Sequence, residues 1–192
     1  MGANAEFLRP TDAGRSVCVE PDPELLAQLE QKLSSIASGR SHAAVCGTTQ
    51  TISGEFDAVV YIDVLEHIED DRGEMQRAAE LLKPGGHLVV LSPAHQALYT
   101  PFDKAVGHFR RYNKRMLREI APRELKLERM SYLDSVGLLA SIGNRVLLHQ
   151  PMPTQSQLRF WDRIMIPVSR VLDPLTFYSI GKSVLGVWSK RA

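Results

Sequence analysis

Apolar and polar positions along the chain alternate between two rhythms. Ser16-Val17-Cys18-Val19-Glu20 is a short apolar run closed by Pro21, which predicts a strand. From Pro23 to Ala37, Leu25, Leu26, Leu29, Leu33 and Ile36 recur at helical spacing, with Asp22 as N-cap and Gly39 just past the end. Ala43 to Cys46 predicts a second brief strand. Phe56 to Asp63 predicts a third, apolar without alternation, as in a parallel-sheet strand covered on both faces. After Asp70 and Asp71, the residues Met75, Ala78, Ala79, Leu81 and Leu82 mark a helix that Lys83-Pro84-Gly85-Gly86 terminates. His87 to Leu91 is then a buried strand stopped by Ser92-Pro93, and a helix ending before Pro10 is expected over Ala3 to Leu8.

Strand, helix and strand at this spacing predict a doubly wound α/β sheet whose ligand crevice lies beyond the carboxyl ends of its strands. Glu20, Asp63 and Ser92 to His95 fall at those ends. Beyond Thr100 the pattern predicts a basic loop from Lys104 to Arg115, a helix near Lys114 to Ile120 and an extended segment from Leu125 to Tyr132. A helix near Ser135 to His149 and a last strand from Ser183 to Trp188 follow, and the two late strands are expected to pair as an antiparallel edge.

A length of 192 residues predicts one domain. With 44% hydrophobic and 23% charged residues, the chain is neither disordered nor collagen-like nor a coiled coil. Lys plus Arg number 23 against 22 Asp plus Glu, so no overall field favours nucleic acid. Cys18 and Cys46 sit in short apolar runs, where small thiols fit a reducing cytoplasm better than a disulfide. No basic-then-apolar leader and no run of about 18 apolar residues is present, so neither secretion nor membrane spanning is a first reading.

Four stretches together carry a resemblance: Gly2-Ala3-Asn4, Val17 to Asp22, Phe56-Asp57 through Leu65-Glu66-His67-Ile68, and Leu82-Lys83-Pro84-Gly85-Gly86-His87-Leu88. The sequence resembles the class I S-adenosylmethionine-dependent methyltransferases, type 11/12-like, without their first strand and most of their glycine-rich loop. The resemblance implies a Rossmann-like, doubly wound and mostly parallel sheet with an antiparallel C-terminal edge. It implies one domain with a cofactor-binding part over 1–95 and an acceptor-binding and lid part over 96–192. Glu20 follows Gly2 by 18 residues, suiting an acid that takes ribose hydroxyls after a glycine turn. Gly2 and Glu20, with Thr48 near the adenine, are therefore the expected cofactor residues. Asp63 is expected at the methionine end, with Val64 and Leu65 packing near the adenine or sulfonium.

Asp63, Glu66 and His67 form a D-x-x-E-H cluster. It is similar to E-x-x-E-H clusters associated with divalent metal in some ubiquinone-pathway O-methyltransferases. Structural hydrogen bonding is the use expected here, and no metal is assigned. The loop Phe102 to Tyr112 is similar to a G-H-[FY]-R-R-Y signature of a bacterial methyltransferase subgroup. His108 is the expected general base or acceptor-orienting group, since a neutral imidazole can take a proton near physiological pH. Arg110 and Arg111 are expected to clamp an acceptor carboxylate or phosphate, unless they form salt bridges that tie the loop to Asp103. Tyr112 is expected to line the pocket, and His95 is a second base candidate on the acceptor side. Trp161 to Leu172 mixes bulky apolar groups with Arg, predicting a lid packed on the core or, less favoured, an interfacial helix in weak contact with a membrane.

The function expected is cytoplasmic methyl transfer from S-adenosylmethionine to a small-molecule or lipid-like acceptor. One competitor is a non-catalytic fragment or partner-binding module of the same fold. The other is a nicotinamide-dependent oxidoreductase, for which only Tyr178 and Lys182 offer a Tyr-x-x-x-Lys spacing.

Overall fold

The computed structural model describes residues 14–35, 42–143 and 159–191. The helix expected over Ala3 to Leu8 lies outside them, as does the part beyond Gly143 of the helix expected from Ser135 to His149. The chain divides into two units, Met1–Gly54 and Glu55–Ala192.

In the first unit, β1 (Ser16–Glu20) pairs in parallel with β2 (His42–Cys46), from Ser16 opposite His42 to Glu20 opposite Cys46. Helix α1 (Pro23–Ser35) connects them and buries Leu29 and Leu33, two positions of the predicted apolar repeat. Asp22 caps it as expected, Oδ1 accepting from the Glu24 N–H at 2.8 Å and the Leu25 N–H at 3.3 Å.

The second unit is built on a four-stranded sheet in the order β3-β4-β6-β5. Strands β3 (Phe56–Ile62) and β4 (Leu82–Pro93) are parallel, joined through α2 (Asp71–Glu80). β6 (Ser183–Lys190) runs antiparallel to both β4 and β5 (Leu125–Leu133), which is the expected antiparallel edge. Between β4 and β5 lie α3 (Pro101–Ala105) and α4 (Lys114–Ile120). After β5 come α5 (Ser135–Gly143) and a π-helical turn, Trp161–Met165, that continues into α6 (Ile166–Leu175). The core gathers Leu65, Met75, Ala78, Ala79, Leu82, Leu88, Val90, Leu117, Val184 and Trp188.

Three segments differ from expectation. Leu82 is already paired with Phe56, and pairing resumes at Ala58 opposite His87, so Lys83-Pro84-Gly85-Gly86 is a bulge inside β4 rather than a stop before it. Gly85 takes φ 77°, and a Cβ on Gly86 would stand 3.0 Å from the Phe56 carbonyl oxygen, so glycines suit this bulge. The expected basic loop begins instead as α3, with Pro101 at its start and Thr100 and Asp103 forming a reciprocal capping box. Finally, α6 is inside out. Its buried positions include Ser169 and Asp173, while Val168, Val171, Leu172 and Leu175 are exposed. Polar groups, not an apolar stripe, fasten it to its unit, and the apolar side faces outward. Among the described residues, no helix is long and apolar enough to cross a membrane.

Candidate functional site

Strand direction places one set of polar residues on a single edge of the second unit's sheet. Pro93 and Leu133 both lie opposite Ser183, so the carboxyl ends of β4 and β5 and the amino end of β6 are side by side. The carboxyl end of β3 joins them, because β3 and β4 are parallel. Asp63 just after β3, His95 just after β4 and Asp134 just after β5 all adopt left-handed backbone, with φ of 52°, 65° and 64°. Such conformations are costly for residues other than glycine and gather at sites where a side chain must be held in one direction. Backbone bonds knit the edge together: Asp63 N–H to the Leu91 carbonyl (2.9 Å), Ala94 N–H to Lys182 (2.7 Å) and Lys182 N–H to Asp134 (3.0 Å).

The side chain of Asp63 remains accessible and makes no hydrogen bond with any described residue. Surrounding protein nevertheless desolvates its carboxyl and raises its pKa, with Lys182, His108 and His67 acting in the opposite direction. Val64 is exposed, whereas Leu65 is fully buried among the core side chains.

His108 is fixed from several sides. Its N–H donates to the Asp103 carbonyl (2.8 Å) and its carbonyl accepts the Tyr99 hydroxyl (2.6 Å). Its ring meets His67 edge to face, with centroids 4.5 Å apart. Nδ1 lies 3.0 Å from Asp103 Oδ1. Burial works against ionisation of Asp103, but hydrogen bonds from Arg111 and Thr100 outweigh it and hold the carboxyl at about 2. A proton on Nδ1 is the one that can be donated to this carboxylate, and in that tautomer the lone pair is on Nε2. Nε2 points toward Glu66, 4.0 Å from Oε1, beyond hydrogen-bond range.

Glu66 departs from the structural hydrogen bonding expected of the D-x-x-E-H cluster. It is fully buried, and neither carboxyl oxygen has a hydrogen-bond partner among the described residues. Burial pushes its pKa up to about 7; its own backbone N–H and the Ser92 hydroxyl relieve this only partly, from outside hydrogen-bond geometry, and Asp63 adds to it. His67 is held below the usual histidine range by burial and by His108. Donor atoms of Glu66, His67 and His108 lie within 4.8 Å of one another, a set of oxygen and imidazole nitrogen that suits a divalent transition metal. This set differs from Asp63, Glu66 and His67, His108 standing where Asp63 was expected.

Both arginines are engaged. Arg110 Nη1 donates to Asp71 and Nη2 to the Glu69 carbonyl at 2.8 Å. Arg111 grips Asp103 in bidentate fashion, Nε to Oδ1 at 2.8 Å and Nη2 to Oδ2 at 2.9 Å, leaving one buried Nη1 without a hydrogen-bond partner among the described residues. The salt-bridge alternative for this loop therefore holds for Arg111 through Asp103, and for Arg110 through Asp71. Tyr112 is fully buried in the core, donating its hydroxyl to Asp71 at 2.8 Å, so it packs inward rather than facing a pocket. His95 Nε2 lies 2.9 Å from the Gly181 carbonyl and its ring leans on Tyr132.

In the first unit, Glu20 ends β1 half-buried, its carboxylate accepting the Asp22 N–H at 3.2 Å and retaining acceptor capacity. Thr48 is exposed and caps the turn Thr49–Thr51, its hydroxyl accepting the Gln50 N–H at 3.3 Å. Gly2 lies outside the described residues. Sequence reasoning missed Lys182 as an isolated cation and Asp103 as the partner of His108. The Thr100 to Asp103 capping spacing was the readable signal for the latter.

Solved structures share this architecture. The chain superposes over its whole length on the N-methyltransferase NodS of Bradyrhizobium japonicum WM9, solved with S-adenosylhomocysteine, at TM-score 0.58 and 16% identity, covering 74% of that chain. It also superposes over its whole length on the 4+2 cyclase SpnF, at TM-score 0.66 and 14% identity, covering 71% of that chain. One fold thus hosts different chemistries, and the fold alone does not select between them. Residues 1–88 match the family described as a methyltransferase domain. A stretch of 67 residues is 33% identical to a ubiquinone biosynthesis O-methyltransferase of Pectobacterium carotovorum subsp. carotovorum (strain PC1), over 35% of this chain and 28% of that protein. The match to this curated relative therefore spans less than a third of its length. The family match covers less than half of this chain, and structures this distant in sequence show a shared α/β fold of the kind the sequence resemblance implied.

Proposed function

We propose that this chain transfers a methyl group from S-adenosylmethionine to a small-molecule or lipid-like acceptor. S-adenosylmethionine, when bound, supplies an electrophilic methyl group on a sulfonium. Glu20 accepts hydrogen bonds from the ribose hydroxyls, with Gly2 and Thr48 on the same ligand. In the second unit, the sequence resemblance implies Asp63 for the methionine end and Val64 for packing near the adenine or sulfonium. An accessible carboxylate at a strand exit, without a hydrogen bond to any described residue, suits a ligand rich in hydrogen-bond donors and carrying positive charge, which is how Asp63 fits the cofactor. His108 removes the acceptor's proton through Nε2, and Asp103 fixes the imidazole in the tautomer that leaves Nε2 free. Water exclusion and alignment, rather than covalent chemistry, account for most of the remaining rate.

The observation that carries this reading is the Nδ1 contact of 3.0 Å between His108 and an Asp103 kept ionised by Arg111. The outward apolar side of α6, continued by Phe177 at 89% exposure, supports a lipid-like acceptor or a chain that rests weakly on a bilayer. The test is a screen of small-molecule and lipid acceptors with methyl-labelled S-adenosylmethionine. A labelled product is expected, with turnover falling about 10²–10⁴-fold in His108→Gln while S-adenosylhomocysteine affinity is kept. Equal turnover in the variant overturns the role of His108. A nicotinamide-dependent hydride transfer without methyl transfer overturns the reading altogether.

A further inference from the structure

The two arginines expected to receive an acidic acceptor group are held by Asp71 and Asp103. A different cation stands at the same sheet edge. Lys182 immediately precedes β6, and its backbone joins the exits of β4 and β5 through Ala94 and Asp134. Its ammonium lies 3.5 Å from the centroid of the Trp161 ring and has no hydrogen-bond acceptor or ion-pair partner among the described residues.

The nearest reason to expect a partner fails. Asp134 acts on Lys182 electrostatically, yet its carboxylate already serves three donors: Gly137 N–H (2.9 Å) and Ser169 Oγ (2.8 Å) on Oδ1, and Trp161 Nε1 (3.0 Å) on Oδ2. Those bonds orient the indole so that its face, not its edge, receives the ammonium. Asp173 anchors the arrangement in turn, accepting the Asp134 and Ser135 N–H groups at 2.9 Å each. A cation over an aromatic face gains part of what it lost on leaving water, but its N–H donors remain unsatisfied. Burial draws the Lys182 pKa down to about 8, with Asp134, Asp63 and Asp103 attracting the charge and Arg111 opposing it, so near neutrality the side chain is still mostly an ammonium. An oxyanion is a ligand that completes such a site: it accepts hydrogen bonds from the ammonium that the surrounding carboxylates attract only at a distance, while the indole walls the body of the same molecule.

We propose that Lys182, seated on Trp161, is a subsite for a carboxylate or phosphate carried by the methyl acceptor. The assignment to an acceptor rests on the methyltransferase reading; the binding of an oxyanion does not, and the two are measured separately.

The experiment titrates the full chain at pH 7 with benzoate, phenyl phosphate, inorganic phosphate, benzyl alcohol and benzylammonium, by calorimetry and tryptophan fluorescence. The protein has two tryptophans, and Trp188 is buried at 2% exposure, so a change in indole environment on binding reports Trp161. Benzoate or phenyl phosphate is expected to bind saturably and at least tenfold more tightly than benzyl alcohol or benzylammonium. Lys182→Gln loses this preference and Lys182→Arg keeps it; Trp161→Phe retains the heat but not the fluorescence change. Equal affinity for the alcohol or the ammonium probe overturns the subsite, as does an unchanged benzoate affinity in a folded Lys182→Gln. Inorganic phosphate bound as tightly as phenyl phosphate contradicts a subsite for an organic acceptor. If Lys182→Gln does not fold, probe selectivity of the wild type and of Lys182→Arg decides. Titration with S-adenosylhomocysteine runs alongside: its failure with oxyanion binding intact counts against the methyltransferase reading alone, and the reverse outcome against the subsite alone.

Discussion

Replacing Asp103 by Asn removes one charge and almost no volume from the centre of the Thr100 to Tyr112 segment. The carboxylate takes five donors: Arg111 Nε and Nη2, the Thr100 N–H and hydroxyl, and His108 Nδ1, at 2.8–3.0 Å. Holding its pKa at about 2 instead of 3.8 is, at about 1.36 kcal/mol per unit, on the order of 2 kcal/mol of stability. The folded-state pKa is depressed, so this contribution is present above the unfolded value and disappears as pH falls from about 4 toward 2. Asn also leaves the buried Arg111 guanidinium without its countercharge, and breaking such a pair costs roughly 3–5 kcal/mol in total. We expect Asp103→Asn to lose about 3 kcal/mol at pH 7, a fall in Tm of roughly 6–12 °C for a chain of this size. Urea and thermal unfolding at pH 7 and pH 3 measure it. The gap between wild type and variant narrows at pH 3, and the double variant Asp103→Leu with Arg111→Met recovers part of the loss. A variant within about 0.5 kcal/mol of wild type at pH 7, or a gap that does not shrink in acid, refutes the reasoning.

Glu66→Gln has the opposite pH signature. A carboxyl raised from 4.5 to about 7 destabilises the fold progressively as pH rises through that window, by about 3 kcal/mol once ionised, and the amide escapes this. Unfolding midpoints at pH 5 and pH 8 should converge in the variant and differ in the wild type; equal slopes count against burial as the dominant influence on Glu66. In Gly186→Ala the new Cβ would stand 2.1 Å from the Trp188 ring, so about 1–3 kcal/mol of overpacking is expected in urea denaturation, and a neutral substitution would show that the indole can shift. Benzoate affinity should fall as pH rises through about 8, where Lys182 loses its proton in the company of Asp134, Asp63, Asp103 and Arg111; a flat profile from pH 7 to 9.5 removes Lys182 from the site.

Much of the architecture was legible because its signals are local. Leu29 and Leu33 in a helical repeat gave α1, and the unbroken apolar run from Phe56 gave β3. Lys114 to Ile120 formed the helix expected, with Asn113 capping it. Local rules misled at Leu82 to Gly86, where cross-strand pairing with Phe56 holds a Pro-Gly-Gly segment inside a strand. At the sheet edge, the strand exits were legible in the sequence, but the side-chain pairings around them were not. Arg110 meets Asp71 from 39 residues away, and Asp134 meets Trp161 across 27. Nothing near Lys182 in sequence announces that its ammonium lies on Trp161 without a hydrogen bond to Asp134 or any other described residue.

The central claim is that the strand exits hold an adenosyl nucleoside. Calorimetric titration of the protein with S-adenosylhomocysteine tests it most directly, repeated with Glu20→Gln and with Asp63→Asn. Saturable binding at one site per chain, weakened at least tenfold by each substitution, is the result predicted. Binding that is absent from the wild type, or that neither substitution alters, contradicts it.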